Sequence, residues 1–137
     1  KKNQNRRVFS LANTFLGPML DLTTTDLTNL VSVPDANPGA TPPVPPTTVV
    51  IKSLLVCSDS GSATLLDVQT LRSSATFKQF HQKNIAAGST VDLLNEHDGV
   101  VGGTIVLQAG DILKVQANAA NQIHITVAEM EVTKGQL

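Results

Sequence analysis

Apolar and polar residues alternate along most of this chain in short runs, the two-residue period of a strand whose successive side chains point to opposite faces. In Thr104–Gln108, Ile105 and Leu107 alternate with Val106 and Gln108, and after Gly110-Asp111 the residues Leu113, Val115 and Ala117 alternate with Lys114 and Gln116. The pattern predicts two strands meeting at a tight turn. Glycine supplies the backbone angle there, and aspartate bonds its own backbone.

The same period predicts strands over Val8–Thr14, Asp26–Val33, Thr47–Cys57, Ala63–Leu71, Thr76–Ile85, Thr90–Leu94, Thr104–Gln108, Asp111–Ala117 and Gln122–Val132. Between them lie "PDANPGATPPVPP", "SDSGS", "RSS", "AAGS", "HDGVVGG", "AGD" and "NAAN", all rich in turn-forming residues. Short strands with a turn about every ten residues predict an all-β fold, an antiparallel β-sandwich or jelly roll. Only "FKQFHQ" suggests a short turn of helix.

Two runs carry more. In "TTVVIKSLLVC" apolar residues occupy both phases, Val49, Ile51 and Leu55 against Val50, Leu54 and Val56. That predicts a central strand with both faces covered, or one covered by a neighbouring subunit. In "QIHITVAEMEVT" Ile123, Ile125 and Val127 share one phase while Met130 and Val132 take the other, which predicts a bulge or twist near Ala128-Glu129.

Composition sets the scale. The 137 residues suit one domain, and 41% hydrophobic content is enough for a core. With 3% aromatic residues and neither Trp nor Tyr, the core must be aliphatic, and no stacking platform for sugars or bases is offered. The net charge is −1, yet "KKNQNRR" holds four of the ten basic groups, leaving six against eleven acids, a net −5. A flexible basic arm, residues 1–7, therefore precedes an acidic domain of residues 8–137. The lone Cys57 sits in an apolar run and reads as a small buried hydrophobe. No run reaches the roughly 20 apolar residues of a membrane span.

Candidate chemistry is sparse. Acyl transfer needs a nucleophile, a base and an orienting acid. "SDSGS" at Ser58–Ser62 reads instead as a hairpin loop, with His81, His97 and His124 scattered elsewhere. His124 alternates with Ile123 and Ile125 and should face away from them. Glu96, His97 and Asp98 in "NEHDG" could meet a divalent cation only with help from elsewhere, and Asp-Gly explains that segment as a turn. "GVVGG" precedes a strand, whereas phosphate-binding glycine loops open a helix. These readings predict no enzyme activity, cofactor or metal.

The run "TTVVIKSLLVCSDSGSATLLDVQ", the later "IAAGSTVDLL" and the closing "LQAGDILKVQANAANQIHITVAEMEV" together resemble small virion structural proteins of tailed bacteriophages. The likeness spans about residues 24 to 137 and rests on strand, Gly-Ser turn and "AGD" hairpin. "LQAGDILKV" is also similar to C1q and tumour-necrosis-factor type jelly rolls. The phage resemblance implies a non-enzymatic structural protein of a virion made in the host cytoplasm. It would assemble in multiple copies at the neck or tail as a collar, fibre or accessory component. The alternatives are a capsid decoration or cement protein and a receptor-binding module. Its partners would be itself, as a homo-oligomer, and other virion proteins, with nucleic acid and membrane set aside.

The chain departs from that pattern between Val33 and Thr47, where six of the seven prolines lie within the insertion loop 34–46. Such a segment should favour extended polyproline geometry with few donors for pairing. The arm has charge without an apolar face, and the loop has stiffness without donors. Both suit docking on a neighbour, and the predicted partner-binding residues are Lys1, Lys2, Arg6 and Arg7 in the arm and Pro38, Pro42, Pro43, Pro45 and Pro46 in the loop.

Overall fold

A computed structural model describes residues 10–95 and 103–135. Ten strands run through them: β1 Ser10–Leu16, β2 Met19–Leu22, β3 Thr28–Ser32, β4 Thr47–Ser58, β5 Thr64–Arg72, β6 Ala75–Ile85, β7 Thr90–Asp92, β8 Ile105–Leu107, β9 Ile112–Ala117 and β10 Ile123–Gly135. No helix occurs among the described residues. Residues 77–82, "FKQFHQ", lie within β6 instead. Their strand period is hidden because β6 carries two extra residues relative to β5, at the register steps Leu66/Val68 and Val68/Gln69.

The strands form two antiparallel sheets, one of order β1-β10-β4-β7 with β2 on β10 and β8 on β4, the other of order β3-β9-β5-β6. Between them Ile51, Leu54, Val56, Ile123, Ile125 and Val127 of the first sheet meet Val31, Leu66, Val68, Leu113, Val115 and Ala117 of the second. Burying such a side chain contributes about 1.5–3 kcal/mol, so the aliphatic layer is the main source of stability.

The turns do something the strand period cannot show. "SDSGS" and "AGD", both expected to close hairpins, instead carry the chain from one sheet to the other: β4 to β5 and β8 to β9. Among consecutive strands, β5 and β6 do form a hairpin, at Ser73-Ser74. A strand that turns over to the facing sheet keeps the same inward alternation as one that pairs with its predecessor, so period alone does not choose between them.

β4 is central, with β10 on one side and β7 and β8 on the other. Its mixed apolar phase has a different cause from double coverage. Ala128 pairs with Ser53 but Glu129 with Ile51, so Lys52 is an extra residue. This bulge swings Val49 and Ile51, then Leu54 and Val56, onto one buried face. The shift falls at the expected register, Ala128/Glu129, but on the partner strand: β10 keeps its alternation, and Met130 and Val132 stay on the outer face.

β2 escaped the sequence reading because "LGPMLDL" carries a breaker. Gly17-Pro18 interrupts an edge whose two halves both pair with β10, β1 along Glu129–Gly135 and β2 along Ile123–Thr126. On an edge proline's missing donor costs little, and the Pro18 carbonyl still accepts the Val127 N–H at 2.9 Å.

Candidate interaction surface

Directly opposed residues in antiparallel strands share a face. Phe15 lies opposite Met130, Met130 opposite Val50, and Val50 opposite Val106. These four side chains form an apolar row across β1, β10, β4 and β8 on the outer face of the six-stranded sheet. A second row places Met19 opposite Thr126 and Thr126 opposite Leu55. Phe15 is 76% exposed, Met19 79%, Val106 48% and Leu55 40%. Leu55 and Val50, expected under cover, therefore face outward, with no layer of the described residues over them. An isolated exposed apolar side chain is ordinary; a row of four is not, and exposed Lys52 on the β4 bulge lies between it and Met19 and Leu55.

One end of this face is acidic. Asp21, His124 and Cys57 are in register across β2, β10 and β4. His124 Nδ1 lies 3.1 Å from Asp21 Oδ1 and Nε2 lies 3.9 Å from Asp59 Oδ2. His124 thus points away from Ile123 and Ile125, as its alternation predicts. Cys57 is half-buried on this outer face, not in the core. At the other end Asn13, Val132 and Thr48 are in register and carry no charge.

Beside this face Asp92 holds the β4 bulge. Its carboxylate accepts from Ser53 Oγ at 2.7 Å, from the Leu54 and Leu94 N–H groups at 3.1 Å, and from Asn95 Nδ2 at 2.8 Å. The Asn95 amide also donates to the Lys52 carbonyl at 3.1 Å. Burial pushes the Asp92 carboxyl up, and these four donors outweigh it and hold the carboxyl below its ordinary range. Ladder bonding displaced by the extra residue is replaced by side chains. The sequence reading missed Asp92, whose role depends on a bulge visible only in the pairing.

A second polar knot ties the sheets together. Asp111 is buried, and Arg72 donates to it through Nε at 3.0 Å to both oxygens and through Nη2 at 2.6 Å to Oδ2. The Gln108 N–H adds a bond of 2.7 Å to Oδ2, the local backbone bond expected of this aspartate. The Arg72 bond holds the Asp111 carboxyl below its usual range, against burial and with help from Gln108. Glu129 is buried on the inner face opposite Leu16 and Ile51, and its carboxyl is raised by burial and then by Glu131.

The predicted partner-binding residues divide. Lys1, Lys2, Arg6 and Arg7 lie outside the described residues, as do Glu96, His97 and Asp98. Pro38, Pro42, Pro43 and Pro46 are exposed and Pro45 is half-buried. The loop is not an extended polyproline rod, because it folds back on itself. Asn37 N–H donates to the Val44 carbonyl at 2.8 Å and Val44 N–H to the Asn37 carbonyl at 2.9 Å. The two paired residues are non-prolines, so the segment holds the donors it needs.

Ser58 and His124 are neighbours across β4 and β10, but their side chains take opposite faces of the sheet. Ser58 is buried at the end of β4, where its Oγ accepts the Ser60 N–H at 3.3 Å. His81 sits on the other sheet, its Nδ1 3.0 Å from Asp67 Oδ1. Among the described residues no three His, Cys, Asp or Glu side chains gather as a metal site, and no helix is long and apolar enough to cross a membrane.

No family model matches this chain, and no curated protein does. Among solved structures it is similar to a structure of the infectious bursal disease virus Gx strain, at 8% identity and a TM-score of 0.34, over 96% of this chain and 43% of that one. A structure of the Gt strain gives 7% identity and 0.27, over 96% and 34%. A structure of Eiger TNF from S. frugiperda gives 12% identity and 0.27, over 88% and 92%. The chain thus spans less than half the length of the viral chains it resembles.

Proposed function

We propose that this chain is a non-enzymatic structural protein of a tailed-bacteriophage virion, a neck or tail component that works by assembling in multiple copies. The observation that carries the assembling role is the apolar row on the outer face of the six-stranded sheet, which none of the described residues covers. An exposed apolar row on an isolated domain invites aggregation, whereas repeated copies around a symmetric particle bury it and sum many weak contacts. The placement at neck or tail rests on the sequence resemblance.

The polar groups support the same reading. Asp111 with Arg72 and Asp92 with Asn95 are bonded to the frame they stabilise, and Ser58, the ladder partner of Ile123, is buried on the face opposite His124 with its Oγ bonded to the Ser60 N–H. Quantitative mass spectrometry and labelling of purified particles test the role. The chain at a small multiple of three, six or twelve at the portal end fits neck or tail. Hundreds of copies on the shell mean decoration, and absence from particles rejects a virion role.

A further inference from the structure

We infer that β1 is the pairing edge of this protein: its free side joins β1 of a second copy, antiparallel, so that the two six-stranded sheets become one. Such pairing rests on the assembling role, though not on the kind of particle.

An edge strand exposes a row of backbone donors and acceptors, and proteins keep other strands off it by shortness, bulges or charge. Among the described residues three of the four sheet edges have such protection. β7 and β8, which share one edge, are three residues each; β3 has a register step between Asn29 and Val31; β6 has two steps and carries Lys78, His81 and Lys83. β1 has none of these features. Its seven residues, SLANTFL, are uncharged and lack proline, and they hold an unbroken register on β10 from Ser10 opposite Gly135 to Leu16 opposite Glu129.

The same register shows which backbone groups are free, because β2 continues it with Met19 opposite Thr126. The Pro18 carbonyl accepts the Val127 N–H and so faces β10. Backbone groups alternate sides along a strand, so those of Leu16, Thr14 and Ala12 also face β10, while those of Leu11, Asn13, Phe15 and Gly17 point off the sheet. No described strand pairs with them.

Charge selects the occupant. Nine residues precede Ser10, with Lys1, Lys2, Arg6 and Arg7 among them. In an antiparallel pair with Thr14 on the two-fold axis, Asn13 lies opposite Phe15 of the second copy. Arg7, seven residues before Thr14, then lies opposite Asp21, seven after it. Asp21 is exposed and shares His124 with Asp59, so each basic arm runs along the acidic end of the other copy. The arm cannot reach that end of its own chain: Arg7 is three residues, about 10 Å, before Ser10, and Asp21 is eleven residues, about 36 Å, beyond it. Parallel pairing would set arm against arm.

Sedimentation velocity on the full chain should show a monomer–dimer equilibrium, reversible on dilution. Asn13→Pro removes an outward donor where an edge strand tolerates proline, so it should weaken the dimer at least tenfold and melt close to the parent. Deleting residues 1–7 should weaken it at least tenfold at low salt and less as salt rises. Asp21→Arg should do the same, and adding Arg7→Asp in the same chain should restore the dimer. In a Cys57→Ser background, Thr14→Cys should give a disulfide-linked dimer on oxidation, since opposed residues without mutual backbone bonds bring their Cα atoms to about 4.5 Å. Val106→Ser, on the outer face, should leave the equilibrium unchanged. A chain that stays monomeric at several hundred micromolar overturns the inference, as does a dimer that Asn13→Pro spares or that Val106→Ser breaks. Particle content is measured separately, so a dimer absent from virions rejects the virion role alone, and a monomer found in virions rejects this edge alone.

Discussion

Gly110 is held at φ +88°, a conformation that L side chains rarely adopt, and a Cβ built there would run into the Asp35 carboxylate. Its N–H donates to the Val33 carbonyl, and the Val33 N–H donates to the Asp111 carbonyl, so the turn is bonded to the chain entering the proline loop. Gly110→Val should therefore destabilise the fold by about 1–3 kcal/mol, and an unchanged melting temperature would show that the turn needs no glycine. Asp111 makes a second test at the same turn. Asparagine keeps an acceptor for the Gln108 N–H but loses the charge that receives Arg72, so Asp111→Asn should melt below the parent at neutral pH. Because the folded pKa of Asp111 is lowered, its contribution is complete above the ordinary carboxylate value of about 3.9 and fades as pH falls through the depressed one. The gap between parent and variant should close on acidification; a gap independent of pH would mean the charge contributes nothing.

Single elements show what the sequence could and could not tell. Strand positions follow from alternation, because each strand buries one face and the burial of Ile105, Leu107, Leu113, Val115 and Ala117 repeats their spacing. Partners do not follow, because "AGD" joins strands of different sheets with the same alternation a hairpin would have. The mixed phase of β4 was legible as an irregularity, but its source, the extra Lys52, appears only in the register with β10. The outer row was half legible: Met130 and Val132 stood out of phase, while their neighbours Phe15 and Val106 are brought beside them by pairing across long sequence separations. The β5–β6 hairpin gives an element-scale test. Its turn residues Ser73 and Ser74 have φ of 49° and 70°, both in the left-handed region that two-residue hairpins favour and that Asn-Gly fits best. Replacing Ser73-Ser74 with Asn-Gly should stabilise the protein by about 0.5–1 kcal/mol, read as a higher denaturant midpoint at constant slope. A lower midpoint would mean the serine side chains hold the turn by contacts of their own.

At the scale of the whole molecule, the proline loop joins the sheets and projects from them. Its base belongs to the fold: Val33 is buried, Asp35 packs on Gly110, and Thr47 Oγ1 donates to the Pro45 carbonyl at 3.4 Å. Cutting the whole of 35–46 would therefore disturb the Gly110 turn as well as remove the projection. The bonded pair Asn37 and Val44 marks a cleaner place to cut, because two residues that exchange both backbone bonds are the pair a two-residue turn closes. Replacing residues 38–43 with Asn-Gly removes Pro38, Pro42 and Pro43 while leaving the base in place. If those prolines form a contact with a neighbouring virion protein, this variant should melt close to the parent and keep the same self-association in sedimentation, yet enter particles poorly when it competes with the parent chain. Equal incorporation would make the projection a passive connection between β3 and β4, leaving the outer face of the six-stranded sheet to carry attachment.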